Sequence, residues 1–325
     1  MDPEPGRFPD LGRDLELINA ALDEHLKSRV ELAEKIAAYS VLGEGKRLRP
    51  VLFVLCSRLC GCRGEDVYRY SVIFEYVHAA SLLHDDVLDN ADLRRNKPSA
   101  ARVWGNHAAV LGGDFLNARA FELCVECRSL ELMEMLAECG RQMAEAQMLE
   151  LANTQNWEMT RDLYMEVITG KTAALISAAC ACGGIMAGAG ESEVGSLRRF
   201  GLHLGTAFQL IDDLLDYTST EGVFGKPVGK DLREGKITLP LILAMEGMDR
   251  GMVGEFSRPF KTGQATEEDY KRIIKWVRHS GGLADIRAEA RTQAELAARE
   301  LEVFPDSRTR RDLLALNSYL LSRSF

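Results

Sequence analysis

Two stretches of this 325-residue chain each set three carboxylates at i, i+1 and i+4 within an apolar run. The first is Asp85-Asp86-Val87-Leu88-Asp89, shortly after Leu82-Leu83; the second is Asp212-Asp213-Leu214-Leu215-Asp216, directly after Leu210-Ile211. At about 3.6 residues per turn, the first and third aspartates of each set share a helix face, and the middle one lies about 100° round. Ionised carboxylates among Leu, Ile and Val are too costly to leave unanswered by positive charge. One such set alone is compatible with a solvated helix end. Two sets, each bracketed by aliphatics and each followed by a basic loop, point to a hard cation. Mg²⁺ takes oxygen ligands, keeps waters, and is commonly held by one or two carboxylates plus substrate phosphates. Two carboxylate sets facing each other would hold several Mg²⁺ ions with one diphosphate between them.

Basic segments answer the acids. After Asp89 the chain runs Ala91-Asp92-Leu93-Arg94-Arg95-Asn96-Lys97-Pro98. After Asp216 come Gly225-Lys226-Pro227-Val228-Gly229-Lys230-Asp231 and Gly235-Lys236-Ile237-Thr238-Leu239-Pro240. Near the start stands Gly43-Glu44-Gly45-Lys46-Arg47-Leu48-Arg49-Pro50. Arginine offers phosphate a planar fork, lysine a point charge, and neighbouring glycines let backbone approach an anion. A single such loop can simply face solvent; three of them point to a polyphosphate ligand.

The periodicity is helical, which predicts an all-α fold. Apolar residues recur at three- and four-residue steps over 11–39 (Leu15, Ile18, Leu22, Leu26, Val30, Ala33, Ala37), giving one amphipathic helix or two. Pro50 marks a helix start continued over 51–59. Further helices are expected over 67–89, 110–127, 130–153, 161–186, 191–217, 268–278, 283–304 and 307–321. Alternating strand patterns with hairpin turns are missing. The prolines Pro98, Pro227, Pro240 and Pro259 read as loop residues. No linker divides the chain, so residues 1–325 are expected to form a single domain. The polar segment 218–238 follows the second aspartate set directly and reads as an active-site lid.

A net charge of -9 argues against nucleic acid as a partner. Met1-Asp2-Pro3-Glu4-Pro5 shows no basic region followed by an apolar stretch, so no secretory signal is expected and the chain reads as cytoplasmic. Cys124 and Cys127 form a CxxC without a second pair at zinc spacing; the eight cysteines read as small reduced core residues. Residues 172–190 carry no charge but are mostly Ala, Gly, Ser and Cys, which suits a buried helix better than lipid and leaves at most peripheral membrane contact.

In combination these motifs are specific. Gly-Lys-x-x-Arg-Pro, His-x5-His-Asp-Asp-x-x-Asp with a trailing Arg-Arg, Gly-Lys-Thr, Gln-x-x-Asp-Asp-x-x-Asp, Gly-Lys and Gly-Lys-x-Thr-x-Pro occur in the order seen in the trans-isoprenyl diphosphate synthases, which the chain resembles over roughly residues 12–322. The resemblance implies an all-α bundle around a deep central cavity, the isoprenoid synthase fold, usually as a homodimer. It implies that Asp85, Asp86, Asp89, Asp212, Asp213 and Asp216 bind three Mg²⁺ that grip an allylic diphosphate, farnesyl or geranylgeranyl. Arg94 matches a contact to that diphosphate, and Lys171, Lys226 and Lys236 match lysines reaching it. Lys46, Arg49, His78 and Arg95 match the pocket for isopentenyl diphosphate, and Thr172 and Gln209 match polar groups near the developing allylic cation. The implied reaction is a head-to-tail (1'-4) condensation in which the departed diphosphate takes up the proton. Asn96 stands where the family usually has glycine.

The resemblance also bears on product length. Ala80 and Ser81, five and four residues before Asp85, occupy places where short-chain members carry bulky aromatics, so a long-chain product is expected; Phe115 and Phe121 are candidates for the next barrier. The alternatives are a shorter-chain geranylgeranyl or farnesyl diphosphate synthase and a partner subunit of a heteromeric synthase. Such subunits usually lose one acidic motif, and here both are intact. Terpene cyclases share the fold, but their second metal motif carries Asn, Ser or Thr, and Glu, and they need no isopentenyl pocket. A helical Mg²⁺-dependent phosphohydrolase would release phosphate and ignore isopentenyl diphosphate.

Overall fold

A computed structural model of the protein describes residues 11–43, 45–95, 97–219 and 228–322. Its helices are α1 (Gly12–Glu24), α2 (Glu31–Val41), α3 (Leu48–Leu59), α4 (Asp66–Leu88), α5 (Ala100–Trp104), α6 (Asn106–Glu126), α7 (Leu130–Ala152) and α8 (Arg161–Ile168). A π-helical turn (Thr169–Ala173) leads into α9 (Ala174–Met186). There follow α10 (Glu191–Thr218), α11 (Lys230–Arg233), α12 (Leu239–Glu246), α13 (Arg250–Lys261), α14 (Glu267–His279), α15 (Gly282–Glu300) and α16 (Arg308–Ser322). Between α4 and α5 the chain makes a two-residue antiparallel hairpin, β1 (Leu93–Arg94) on β2 (Lys97–Pro98), with Leu93 opposite Pro98.

The fold is all-α, as the periodicity predicts, and the differences are local. The segment 11–39 is two helices. The hairpin was not legible, because two residues per strand give no alternation to read; Arg95, at φ 52°, turns it. Pro240 is not a loop residue but sits in the first turn of α12, where its missing N–H costs nothing. Pro259 lies inside α13, near its end.

Two apolar cores are joined by α10. Leu197, Phe200 and Leu204 from its first half pack with α1–α7, α9 and α16. Leu210, Ile211, Leu214 and Tyr217 from its second half pack with α8, α12, α14 and α15. The second aspartate set rides on this second half. α4 is buried on nearly every side, including Glu75, and carries the first set at its C-terminal end. Arg161–Met186 is long and apolar enough to cross a membrane, yet 72% of its most apolar window is buried inside the molecule. Its own Cys180 and Cys182 are buried, as is Cys56 of α3, and all eight cysteines are free thiols.

Small residues set the helix spacing. A Cβ on Gly183 of α9 would stand 2.4 Å from the Phe53 carbonyl oxygen of α3. Cβ atoms on Gly201 and Gly205 of α10 would stand 2.6 Å from the Cα atoms of Ser177 and Ala173. This close approach draws α10 against the π-helical turn. Gly183→Ala is expected to cost about 1–3 kcal/mol, because a backbone carbonyl must move to admit the methyl. Gly140→Ala, at an open position of α7, is expected to gain up to about 1 kcal/mol from helix propensity. Midpoints of denaturant unfolding for the two variants check the pair.

Candidate active site

Two features build the site: the facing ends of α4 and α10, and the π-helical turn between α8 and α9. That turn presses on α7, for a Cβ on Gly170 would stand 2.6 Å from Ala146 Cβ. One turn further along α7 is Glu150, and there the Lys171 ammonium makes an ion pair with it. The next residue, Thr172, points the other way, and its hydroxyl donates to Gln209 Oε1 at 2.7 Å. Gln209 Nε2 in turn donates to Asp213 Oδ1 at 2.7 Å. Tyr164 of α8 donates its hydroxyl to Asp213 Oδ2 at 2.6 Å. A cavity of about 130 Å³ opens among Glu150, Lys171, Thr172, Gln209, Asp213 and Lys236.

Asp213 is 3% exposed. Burial pushes its carboxyl up to about 7, with Asp212 and Asp216 adding to the rise and the Tyr164 and Gln209 hydrogen bonds opposing it. Asp216 is raised by burial against the backbone N–H groups of Asp231 and Lys230, which donate to it at 3.1 and 3.0 Å. Asp231, buried beside Asp216 and Asp213, is raised for the same reasons. Asp85 is also raised by burial, and Lys171 and Lys236 oppose the rise. These carboxylates are hard oxygen donors held out of water, which suits a hard divalent cation. Among the described residues no three acidic, histidine or cysteine side chains converge closely enough to hold an ion by themselves. An ion here would take part of its shell from another ligand.

The first set is tied to the segment that follows the second. Lys236, downstream of the second, donates to Asp89 of the first at 3.0 Å and to Glu234 at 2.7 Å. Burial works against its charge, but Glu150, Glu234 and Asp89 outweigh burial and hold its pKa above the ordinary lysine value. Arg94 donates through Nε to Asp86 at 2.8 Å, folding the hairpin back onto α4.

A second cavity, of about 560 Å³, is lined by Lys46, Arg49, His78, Arg95, Asp212 and Tyr319. It lies against the buried pair of Arg47 and Glu75, 3.0 Å apart with side chains 4% and 6% exposed. Arg49 Nε is buried without a hydrogen-bond partner, the state expected of a guanidinium awaiting an anion. Burial, then Arg49, Arg95, Arg94 and Arg47, depress the His78 pKa well below the ordinary range, so the ring is neutral at pH 7. Lys46 also lies over the Tyr319 ring at 5.4 Å.

The structure thus places fourteen of the sixteen expected diphosphate- and metal-site residues on the walls of the two cavities or at the ends of α4 and α10, and a fifteenth, Arg94, on the hairpin against Asp86. The sixteenth, Lys226, lies outside the described residues, as does the 220–227 part of the expected lid. Ala80 is fully buried, and the Ser81 hydroxyl donates to the His78 carbonyl at 2.8 Å. Phe115 packs against the core, whereas Phe121 is 49% exposed on the outer face of α6 and cannot close a channel inside this chain. Sequence reading missed Glu150, Tyr164 and Glu75, lone polar residues on amphipathic or buried helices with no motif around them. Asp231 and Arg47 stood inside motifs that were read for their lysines and their other arginine.

A family model described as polyprenyl synthetase matches residues 30–277. The chain is 39% identical over 311 residues to octaprenyl diphosphate synthase of Escherichia coli (strain K12), covering 96% of each chain. It is 36% identical over 314 residues to the geranyl-diphosphate-specific all-trans-nonaprenyl-diphosphate synthase of Rhodobacter capsulatus, again covering 96% of each. The crystal structure of a polyprenyl synthase from Caulobacter crescentus CB15, complexed with calcium and isoprenyl diphosphate, superposes with a TM-score of 0.92 at 36% identity, covering 99% of this chain and 100% of that one.

The raised Asp213 carboxyl has a consequence for stability. A carboxyl harder to ionise in the fold than in the unfolded chain withdraws stability as pH rises through its unfolded value, and the loss is complete once pH passes the folded value near 7. In chelator, Asp213→Asn is therefore expected to melt a few degrees above wild type at pH 8, with the gap closing toward pH 5. Thermal melts across that range check it.

Proposed function

The chain belongs to the polyprenyl synthetase family, and we propose that it condenses isopentenyl diphosphate head-to-tail (1'-4) with an allylic diphosphate, farnesyl or geranylgeranyl, repeating the step to a long all-trans polyprenyl diphosphate. It is a prenyltransferase with the all-α isoprenoid synthase fold. The observation that carries the proposal is the pairing of two cavities. One is lined by Lys171, Lys236 and Asp213 of the second aspartate set; the other, walled by Lys46, Arg49, His78 and Arg95, is also lined by the adjacent Asp212. Two diphosphates thus have two adjacent sites.

In this reading Asp85, Asp86, Asp89, Asp212, Asp213 and Asp216 hold three Mg²⁺, which when bound neutralise the diphosphate and the charge that grows on it. Lys171, Lys236 and Lys226 reach the same diphosphate, and Arg94 exchanges Asp86 for it. Lys46, Arg49 and Arg95 grip the diphosphate of the isopentenyl unit, and neutral His78 donates a hydrogen bond there. The allylic C1–O bond breaks and diphosphate takes its electrons. The isopentenyl double bond attacks the cation, a carbon–carbon bond forms, and the proton lost goes to the departed diphosphate. Thr172 and Gln209 turn their oxygens toward the cation. The lid 218–238 excludes water that would quench it.

Full-length similarity to octaprenyl and nonaprenyl synthases supports a long product, as do the small Ala80 and Ser81 just before the first aspartate set. We read residues 1–325 as one domain, since α10 serves both cores. We read the protein as a cytoplasmic homodimer: Leu111, Phe121 and Val125 leave an exposed apolar stripe along α6 that suits a second copy.

The test is incubation with Mg²⁺, labelled isopentenyl diphosphate and farnesyl diphosphate, with products separated by length. Wild type should give a ladder ending beyond geranylgeranyl diphosphate. Asp85→Ala and Asp212→Ala should lose activity by at least about 10²-fold, the scale of removing one oriented charge stabiliser, and Ala80→Phe should shorten the ladder. Wild-type turnover in either aspartate variant contradicts the metal assignment. Failure of wild type to incorporate isopentenyl units with any primer contradicts the function.

A further inference from the structure

Glu150 is a carboxylate in a site built to hold an anion, and the chemistry above does not use it. It stands on α7, paired with Lys171, the two side chains 20% and 23% exposed. It lines the same cavity as Lys171 and Lys236. One carboxylate therefore lies within electrostatic reach of both lysines on the described part of the diphosphate clamp. Lys236 has two other acidic partners, Glu234 and Asp89; Glu150 is the one carboxylate in ion-pair contact with Lys171 among the described residues.

A static counter-ion for Lys171 would be served as well by a surface position. Here it is fixed from behind. Gly170 presses on Ala146, one turn before Glu150, so the π-helical turn and α7 keep the lysine and the carboxylate together. Diphosphate entering the cavity must take Lys171 from Glu150 or share it, and diphosphate leaving hands the lysine back. This exchange recurs, because each condensation frees one diphosphate while the lengthened product carries the diphosphate of the isopentenyl unit. That second group can occupy the clamp only after the first has gone.

We propose that Glu150 is a positioning residue that competes with diphosphate for Lys171, and so speeds release of inorganic diphosphate between successive condensations. The inference rests on the prenyltransferase reading. Its physical content is that the ammonium always has an anionic partner, so emptying the clamp leaves no bare buried cation.

The test compares wild type with Glu150→Gln, which keeps the shape and removes the charge. Equilibrium dialysis with labelled inorganic diphosphate in Mg²⁺ should show binding tightened about tenfold, the factor that about 1.4 kcal/mol supplies. The rate of a single condensation, measured with enzyme in excess, should hold, while multiple-turnover elongation falls by a similar factor and the KM for isopentenyl diphosphate stays put. Unchanged or weaker diphosphate binding overturns the proposal, as does an equal fall of single and multiple turnover. If Glu150→Gln does not fold, Glu150→Asp withdraws the carboxylate by one methylene and should tighten binding several-fold; unchanged binding there overturns it equally. Absence of condensation by wild type would instead be the failure of the prenyltransferase reading, and the dialysis result would stand apart from it.

Discussion

Carboxylates held out of water at the facing ends of two core helices are the constraint on which the rest of this structure depends. Asp213, Asp216 and Asp231 crowd one another, and burial raises all three. A fold does not keep such groups for stability, because replacing buried charges by neutral groups is often neutral or favourable. In the proposed reading they are poised for cations that arrive with a polyanion. Much of the surrounding architecture holds that poise. Glycines at 201 and 205 seat α10 on the π-helical turn, Tyr164 and Gln209 fix the two oxygens of Asp213, and Lys236 spans to Asp89.

The two cavities divide the electrostatic work. Around Arg49 and His78 the surplus is positive: one guanidinium nitrogen lacks a partner and the imidazole is kept neutral by burial and by its arginine neighbours. Around Asp213 the surplus is negative, relieved only in part by Lys171 and Lys236. A bare diphosphate suits the first environment, and a metal-laden one suits the second. The asymmetry gives a physical reason for two chemically similar substrates to sort themselves, one as nucleophile and one as electrophile. Asp212 lines the positive cavity while its neighbour Asp213 lines the negative one, so the boundary between the two runs through adjacent residues of α10.

Much of this was legible in the residues. The i, i+1, i+4 spacing placed both aspartate sets on helices, and the charge pattern around them located the basic walls. Partners that come from distant helices were not legible. Tyr164 meets Asp213 across 49 positions and Lys171 meets Glu150 across 21; nothing local marks a lone tyrosine or glutamate on an amphipathic helix. The π-helical turn was hidden too, since Gly-Lys-Thr reads as helix and only packing against α7 shows the extra residue per turn. The two-strand hairpin and the helix-starting Pro240 were missed because tertiary context, not local pattern, decides them. Phe121 has the spacing of an inward residue, yet it faces out once α6 is docked on α4.

The central claim is that the aspartates of α4 and α10 hold divalent cations only together with a diphosphate. The most direct measurement is calorimetric titration of the protein with Mg²⁺, alone and with saturating inorganic diphosphate, and the reverse titration. Weak Mg²⁺ binding to the bare protein is expected, with a large gain in the presence of diphosphate and an equal gain for diphosphate when Mg²⁺ is present, since coupling between two ligands is reciprocal. Mg²⁺ binding that is equally tight with and without diphosphate would contradict it.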